Sequence, residues 1–288
     1  MRSAIDILEG AFRGTLPSAP QRTRIQVGAG HLLLMAAEDG GVGVKLVTVN
    51  PPNSKHGAPI VQAVYVLFSQ DTLSPVATFD GAALTALRTA SVSGLATRYL
   101  AREDAGDLVI FGAGVQATAH LEAMREVRTI RRLTVVSRTQ ERAESLAAMA
   151  RAEGIEASLG TADAIEGADI VCTCTTSAEP VFDGSLLRPG VHVNAIGAYT
   201  PDTRELDDET VRRGKIVVET RAAALEEAGD LLIPLRAGVI DGAAILAELP
   251  EIVRAEGFRR DPEDITVFKS VGVAFEDLVV ARAAWEAA

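Results

Sequence analysis

Two patterns of apolar positions divide the chain. From about residue 108 onward, short β-branched runs alternate with stretches of helical spacing, as in parallel strands covered by helices on both faces. Residues 108–111, 133–136, 156–159 and 169–174 read as strands. Between them helices are predicted through His120, Leu121 and Met124, over 140–152 and around 162–166, and 191–196 and 215–218 add two further strands. Residues 25–80 differ. Their short apolar runs are broken by turn signals at 28–30, 39–41, 50–53 and 74–75, which predicts a meander and a separate sheet-based domain. A helix over 83–100 links the two blocks, a strand is read at 265–269, and an amphipathic helix over 275–285 is expected to return to the first domain. At the start, Asp6 and Glu9 among Ile5, Leu8 and Phe12 give amphipathic helical spacing, unlike the unbroken apolar core of a signal peptide.

Composition narrows the function. Of 288 residues, 48% are hydrophobic and 23% charged, enough apolar side chains for a sizeable core. A net charge of -11 with no long basic run repels phosphate backbones and acidic membranes, so neither nucleic acid nor membrane is expected as a partner. No apolar stretch reaches the roughly 18 residues of a membrane span, and a cytoplasmic protein is expected. The two cysteines, Cys172 and Cys174, sit two apart on a predicted strand, where they suit core packing better than a disulfide or a zinc site. The four histidines show no ligand spacing, and no metal is expected.

Chemistry concentrates first at Gly112-Ala113-Gly114-Val115-Gln116-Ala117, which follows a predicted strand and opens a predicted helix. In this context the first glycine permits the tight turn, Gly114 admits a pyrophosphate to the backbone, and Ala117 keeps helix and strand close. Amides at the helix N-terminus then bind the phosphates. The second strand ends in Ser137-Arg138-Thr139, with Arg142 one helical turn on, where an NAD site usually offers a carboxylate. Arg138 can pair with a ribose 2′-phosphate, so NADP(H) is favoured and NAD(H) stays open. Periodicity alone reads Lys45 as a solvated strand residue; pointing inward, it would have a depressed pKa suited to proton transfer. Arg22 and Arg88 also lie near element ends.

Longer motifs are more specific. Pro20-Gln21-Arg22-Thr23, Gly43-Val44-Lys45-Leu46-Val47-Thr48, Asp80-Gly81 with Leu84-Thr85 and Leu87-Arg88-Thr89, the glycine turn, Asn194-Ala195-Ile196-Gly197 with Pro201 and Glu205-Leu206, and Lys269-Ser270-Val271-Gly272 together resemble the ornithine cyclodeaminase/mu-crystallin family over nearly the whole chain. The resemblance implies an α/β fold in which a doubly wound Rossmann domain is inserted into a smaller α+β substrate and dimerisation domain. The segments would be 1–100, 101–262 and 263–288. The chain start is similar to the family's first long helix entered late, so a shorter upstream segment is expected. Arg22, Lys45 and Arg88 would hold the carboxylate of an amino or imino acid near the nicotinamide, with Lys45 also a proton donor. Thr89, Thr175, Thr176, Ala195, Ile196, Gly197 and Val271 would join the glycine turn in lining the cofactor.

One departure separates the activities within that family. Where its ornithine cyclodeaminases carry an aspartate that engages the substrate amine, this chain has Tyr199, either a substrate contact or a packed aromatic. A phenol with a reference pKa near 10 does not replace a carboxylate base. The resemblance therefore implies NAD(P)H-dependent reduction of a cyclic ketimine such as pyrroline-2-carboxylate or piperideine-2-carboxylate, giving L-proline or L-pipecolate. Ornithine cyclodeamination, an alanine-type dehydrogenase and a non-catalytic NADPH-binding protein are the alternatives. A homodimer is expected.

Overall fold

The computed structural model describes residues 1–17, 19–255 and 261–288. In chain order its first part comprises α1 (Arg2–Arg13), β1 (Thr23–Val27), β2 (Gly30–Glu38), β3 (Val42–Val49), β4 (Val61–Phe68), β5 (Pro75–Asp80) and α2 (Gly81–Leu100). There follow β6 (Asp107–Phe111), α3 (Val115–Val127), β7 (Arg132–Val136), α4 (Gln140–Ala152), β8 (Glu156–Leu159), β9 (Ile170–Thr173) and β10 (His192–Ala195). The last part holds α5 (Asp208–Arg213), β11 (Lys215–Val218), α6 (Arg221–Glu227), α7 (Gly229–Arg236), β12 (Ile245–Glu248), α8 (Leu249–Arg254), β13 (Thr266–Lys269) and α9 (Ala274–Glu286). The chain divides into two compact units, a smaller one of 3–89 and 272–288 and a larger one of 1–2 and 90–271.

In the smaller unit β1 to β5 form an antiparallel meander in sequence order. Side chains alternate across a strand, so Leu33, Met35, Ala37, Val47, Val49, Tyr65 and Leu67 share one buried face. Helix α9 packs on β2, β3 and β4, and Phe275 meets Phe12 of α1 edge to face at 5.2 Å between ring centres. The opposite face carries the cross-strand rows Leu34, Leu46, Val64 and Ala36, Val44, Val66. These six are only half-buried or exposed.

The larger unit holds an eight-stranded sheet in the order β12-β11-β13-β10-β9-β6-β7-β8. All its pairings are parallel. Strands β9, β10 and β13 are buried at every position, as strands covered on both faces must be. The strand read at 265–269 therefore does not open the return to the smaller unit: it lies between β10 and β11, and the chain passes back at Gly272 rather than near 263. Four consecutive buried residues demand a two-sided cover that a strand on a one-sided meander lacks. The first crossing likewise falls inside α2, after Thr89, and not at 100.

Candidate active site

In the larger unit the chain winds from β6 outward through β7 and β8, then returns past β6 to β9 and β10. Connections that diverge this way leave a crevice at the carboxyl ends of the strands. Gly112 follows β6 at that point with φ +103°, and a Cβ on it would sit 2.4 Å from the Cys174 carbonyl oxygen beyond β9. Gly114 caps α3 in extended conformation, and the space beside it is open. Val115, 71% exposed, and Gln116 begin the helix, while Ala117 is fully buried where α3 meets β6 and β9. The first turn of α3 thus presents backbone N–H groups and a positive dipole end to an open cradle. Such a cradle fits the pyrophosphate of a dinucleotide.

The other residues predicted to line the cofactor cluster by strand end. Ser137, Arg138 and Thr139 make the turn from β7 into α4, where the Thr139 N–H donates to Ser137 Oγ at 3.2 Å. Arg138 and Arg142 are both exposed. Thr175, half-buried, and Thr176, exposed, follow β9. Ala195 ends β10, with Ile196 and Gly197 just beyond it, and Val271, 8% exposed, follows β13. These positions share the carboxyl edge of neighbouring parallel strands. Thr89 does not: it is buried on α2 in the smaller unit. Tyr199 packs half-buried against the apolar core of the larger unit. Burial pushes the Cys172 thiol up to about 12 and raises Cys174 as well, so both stay protonated. Among the described residues no group of three or more His, Cys, Asp or Glu could hold a metal ion. No helix there is long and apolar enough to cross a membrane.

The smaller unit builds a second constellation. Lys45 is not solvated; it is 1% exposed on the face of β3 covered by α9. Its Nζ donates to both carboxylate oxygens of Asp277, at 2.9 and 2.8 Å. Arg88 Nε donates to the same Asp277 at 3.2 Å and Nη1 to Glu276 at 2.9 Å. Arg22 Nη2 donates to the Gly272 carbonyl at 2.6 Å. Burial, the Arg88 charge and, less, the Arg22 charge lower the Lys45 pKa against the opposing pull of Asp277, to about 8. Among the described residues this cluster joins Lys45 and Arg88 to Asp277 and Arg88 to Glu276, with the Arg22 charge near enough to act on Lys45. Tyr65, directly across from Lys45 on β4, is a neutral phenol whose pKa is raised by burial and by the Asp277 charge. No hydrogen-bond partner meets its hydroxyl among the described residues.

Sequence reasoning missed Glu276 and Asp277. A signal was present: Asp277 shares a helical face with Ala274, Val280 and Ala281, and a carboxylate on an apolar stripe requires a cationic partner elsewhere. The pairing itself joins positions 232 residues apart in the chain, beyond the reach of any spacing rule.

A doubly wound parallel sheet with a glycine turn at its switch point, carried with an antiparallel sheet that buries a lysine, defines a Rossmann-type α/β protein of two units. The chain belongs to the ornithine cyclodeaminase/mu-crystallin family, whose profile it matches over residues 1–288. It is 37% identical to the Delta(1)-pyrroline-2-carboxylate reductase of Bacillus cereus over 96% of this chain and 85% of the relative. It is also similar to the structure of Thermococcus litoralis Delta(1)-pyrroline-2-carboxylate reductase in complex with NADH and L-proline (41% identity, TM-score 0.95, covering 99% and 93% of the two chains). An archaeal alanine dehydrogenase dimer with bound NAD is similar at 32% identity and TM-score 0.94, over 99% and 91%.

Proposed function

We propose that this protein reduces a cyclic imino acid of the pyrroline-2-carboxylate or piperideine-2-carboxylate type to the L-amino acid, using NAD(P)H. The observation that carries this reading is the buried Lys45, held with Arg88 against Asp277 and depressed to a pKa of about 8. A bound dinucleotide supplies the hydride that reduces the C=N carbon. Arg22 and Arg88 orient the substrate carboxylate, and Lys45, as the ammonium or through water, keeps the imine nitrogen protonated and the carbon electrophilic. The larger unit serves as the dinucleotide-binding domain and the smaller as the substrate and dimerisation domain. Tyr199 in place of a carboxylate base argues against cyclodeamination.

The Ser137-Arg138-Thr139 turn supports a preference for NADPH, although the two similar structures were solved with NADH and NAD. With pyrroline-2-carboxylate and the absorbance at 340 nm, wild-type enzyme is expected to oxidise NADPH faster than NADH. A charge-assisted hydrogen bond contributes about 1.5–3 kcal/mol, so Arg138→Ala should cut the NADPH to NADH ratio of kcat/KM at least about tenfold. An imine-independent protein, or a ratio that ignores Arg138, would refute the substrate and the cofactor assignments respectively.

A homodimer is proposed through the smaller unit's sheet. Leu46 and Val64 are 37% and 40% exposed in the apolar cross-strand rows, a contiguous face of the kind that marks an interface. Leu46→Glu is expected to shift the sedimenting species from dimer to monomer in analytical ultracentrifugation. A monomeric wild type would rule the dimer out. We place the enzyme in the cytoplasm, where reduced nucleotide is available and both thiols stay unpaired.

A further inference from the structure

Three carboxylates lie fully buried at the carboxyl edge of the parallel sheet, and the reaction proposed above uses none of them. Glu205 and Asp230 are 0% exposed and Glu219 is 1% exposed. Each holds backbone atoms of the loops that follow the strands. Glu219 accepts from Ser270 Oγ at 2.6 Å and from the Val271 N–H at 3.0 Å. Asp230 accepts from the N–H groups of Glu205 and Leu206 at 2.7 and 2.8 Å and pairs with Lys269 Nζ at 2.8 Å.

Glu205 is the most connected of the three. Its Oε1 accepts from the Thr175 N–H and the Thr175 hydroxyl, both at 2.7 Å. Its Oε2 accepts from the Thr173 hydroxyl at 2.8 Å and from the N–H groups of Gly197 and Ala198 at 2.6 and 3.3 Å. One carboxylate therefore ties the end of β9 to the end of β10. The loops close around it so tightly that a Cβ on Gly197 would lie 2.1 Å from the Thr175 carbonyl oxygen and 2.7 Å from each Glu205 oxygen. Two of these five donors are hydroxyls and three are backbone N–H groups, which can only donate. A carboxyl group with two acceptor oxygens can take all five, and burying such a group is tolerated where it is hydrogen-bonded in this way.

We infer that Glu205 is a positioning residue of the dinucleotide site, setting the Thr175 and Gly197 loops in the arrangement that binds the cofactor. The inference rests on the proposed dinucleotide binding. The groups facing Glu205 are Asp230, Cys174 and Lys269 besides its hydrogen-bond donors; burial first, then the Asp230 charge, raises its pKa, while Thr175 and Lys269 oppose the rise. Preorganising two loops removes an ordering cost from ligand binding, so loosening them weakens affinity without touching the ligand.

The test is Glu205→Gln, which keeps the shape but turns one acceptor into an N–H2 aimed at other donors. NADPH binding is read directly from nucleotide fluorescence, and hydrogen exchange is followed in the nucleotide-free protein. The expected result is a Kd at least about tenfold weaker, lost protection at Thr175, Gly197 and Ala198, and an imine KM within about twofold of wild type. A purely structural role would lower the amount of folded protein and leave the Kd of the folded fraction unchanged. If Glu205→Gln does not fold, Thr173→Val removes one hydroxyl donor at constant shape and is expected to weaken NADPH several-fold. Wild-type affinity in the variant that folds overturns the inference, whereas a wild-type protein that binds no dinucleotide overturns the reading on which it rests.

Discussion

Lys45→Ala is expected to lower turnover of pyrroline-2-carboxylate by more than about tenfold, the low side of general acid catalysis. Part of the effect is chemical, since the proposed proton donor to the imine is removed, and part is electrostatic. With the ammonium gone, Asp277 keeps, among the described residues, the Arg88 ion pair in a buried setting, and leaving a buried charge under-compensated costs about 3–5 kcal/mol. Lys45→Arg separates the two, because it retains the charge but does not titrate in the accessible range. The pH profile supplies the sign. Folded Lys45 titrates near 8, so the active ammonium is present below that pH and is lost above it. Wild-type kcat/KM should fall as pH rises through about 8, and the ratio of wild type to Lys45→Arg cancels the substrate's own titration. A flat ratio from pH 6 to 10, or unchanged kinetics in Lys45→Ala, would remove Lys45 from proton transfer.

The second large effect belongs to the glycine turn, where two nearby glycines should both matter for NADPH but differ in their effect on stability. Gly112→Ala forces a Cβ into a left-handed backbone and against the Cys174 carbonyl. Strain of about 1–3 kcal/mol and overpacking of about 1–3 kcal/mol add to an expected loss of about 2–6 kcal/mol in urea denaturation. The displaced turn should also weaken NADPH more than about tenfold. Gly114→Ala has room for its methyl and an extended backbone, so its stability should stay within about 1 kcal/mol of wild type while its NADPH affinity drops, the methyl filling the cradle. Equal affinity in Gly114→Ala and wild type would show that the phosphates do not lie there.

Much of the larger unit was legible from period and punctuation. Strands 108–111, 133–136 and 215–218 are bounded almost as the apolar runs end; β6 and β11 are buried at nearly every position, as strands covered on both faces are, whereas β7 alternates. Strand β12 was missed. Its buried and exposed positions alternate over only four residues, and the alanine-rich stretch around it carries no β-branched run. The strand at 265–269 is legible, but its place in the larger unit's sheet rather than with the 263–288 return is not, since a short apolar run states how deeply it is buried and not which partner covers it.

Local chemistry was determined by the sequence itself: a tight turn opening a helix at Gly112 to Ala117, an arginine where a ribose-binding carboxylate usually stands, and a meander of short strands. The order of the eight strands, the burial of Lys45 and the buried carboxylates were decided only in three dimensions. Lys45 occupies a strand position whose spacing is equally consistent with solvent. What pairs it in that burial is Asp277, contributed by a helix at the far end of the chain. Glu205 stands in a family motif with no role of its own legible until five donors from the ends of β9 and β10 converge on it. Periodicity reports which side of an element is buried, whereas a pKa or a hydrogen-bond network depends on which distant groups share that burial, and that is a property of the folded chain alone.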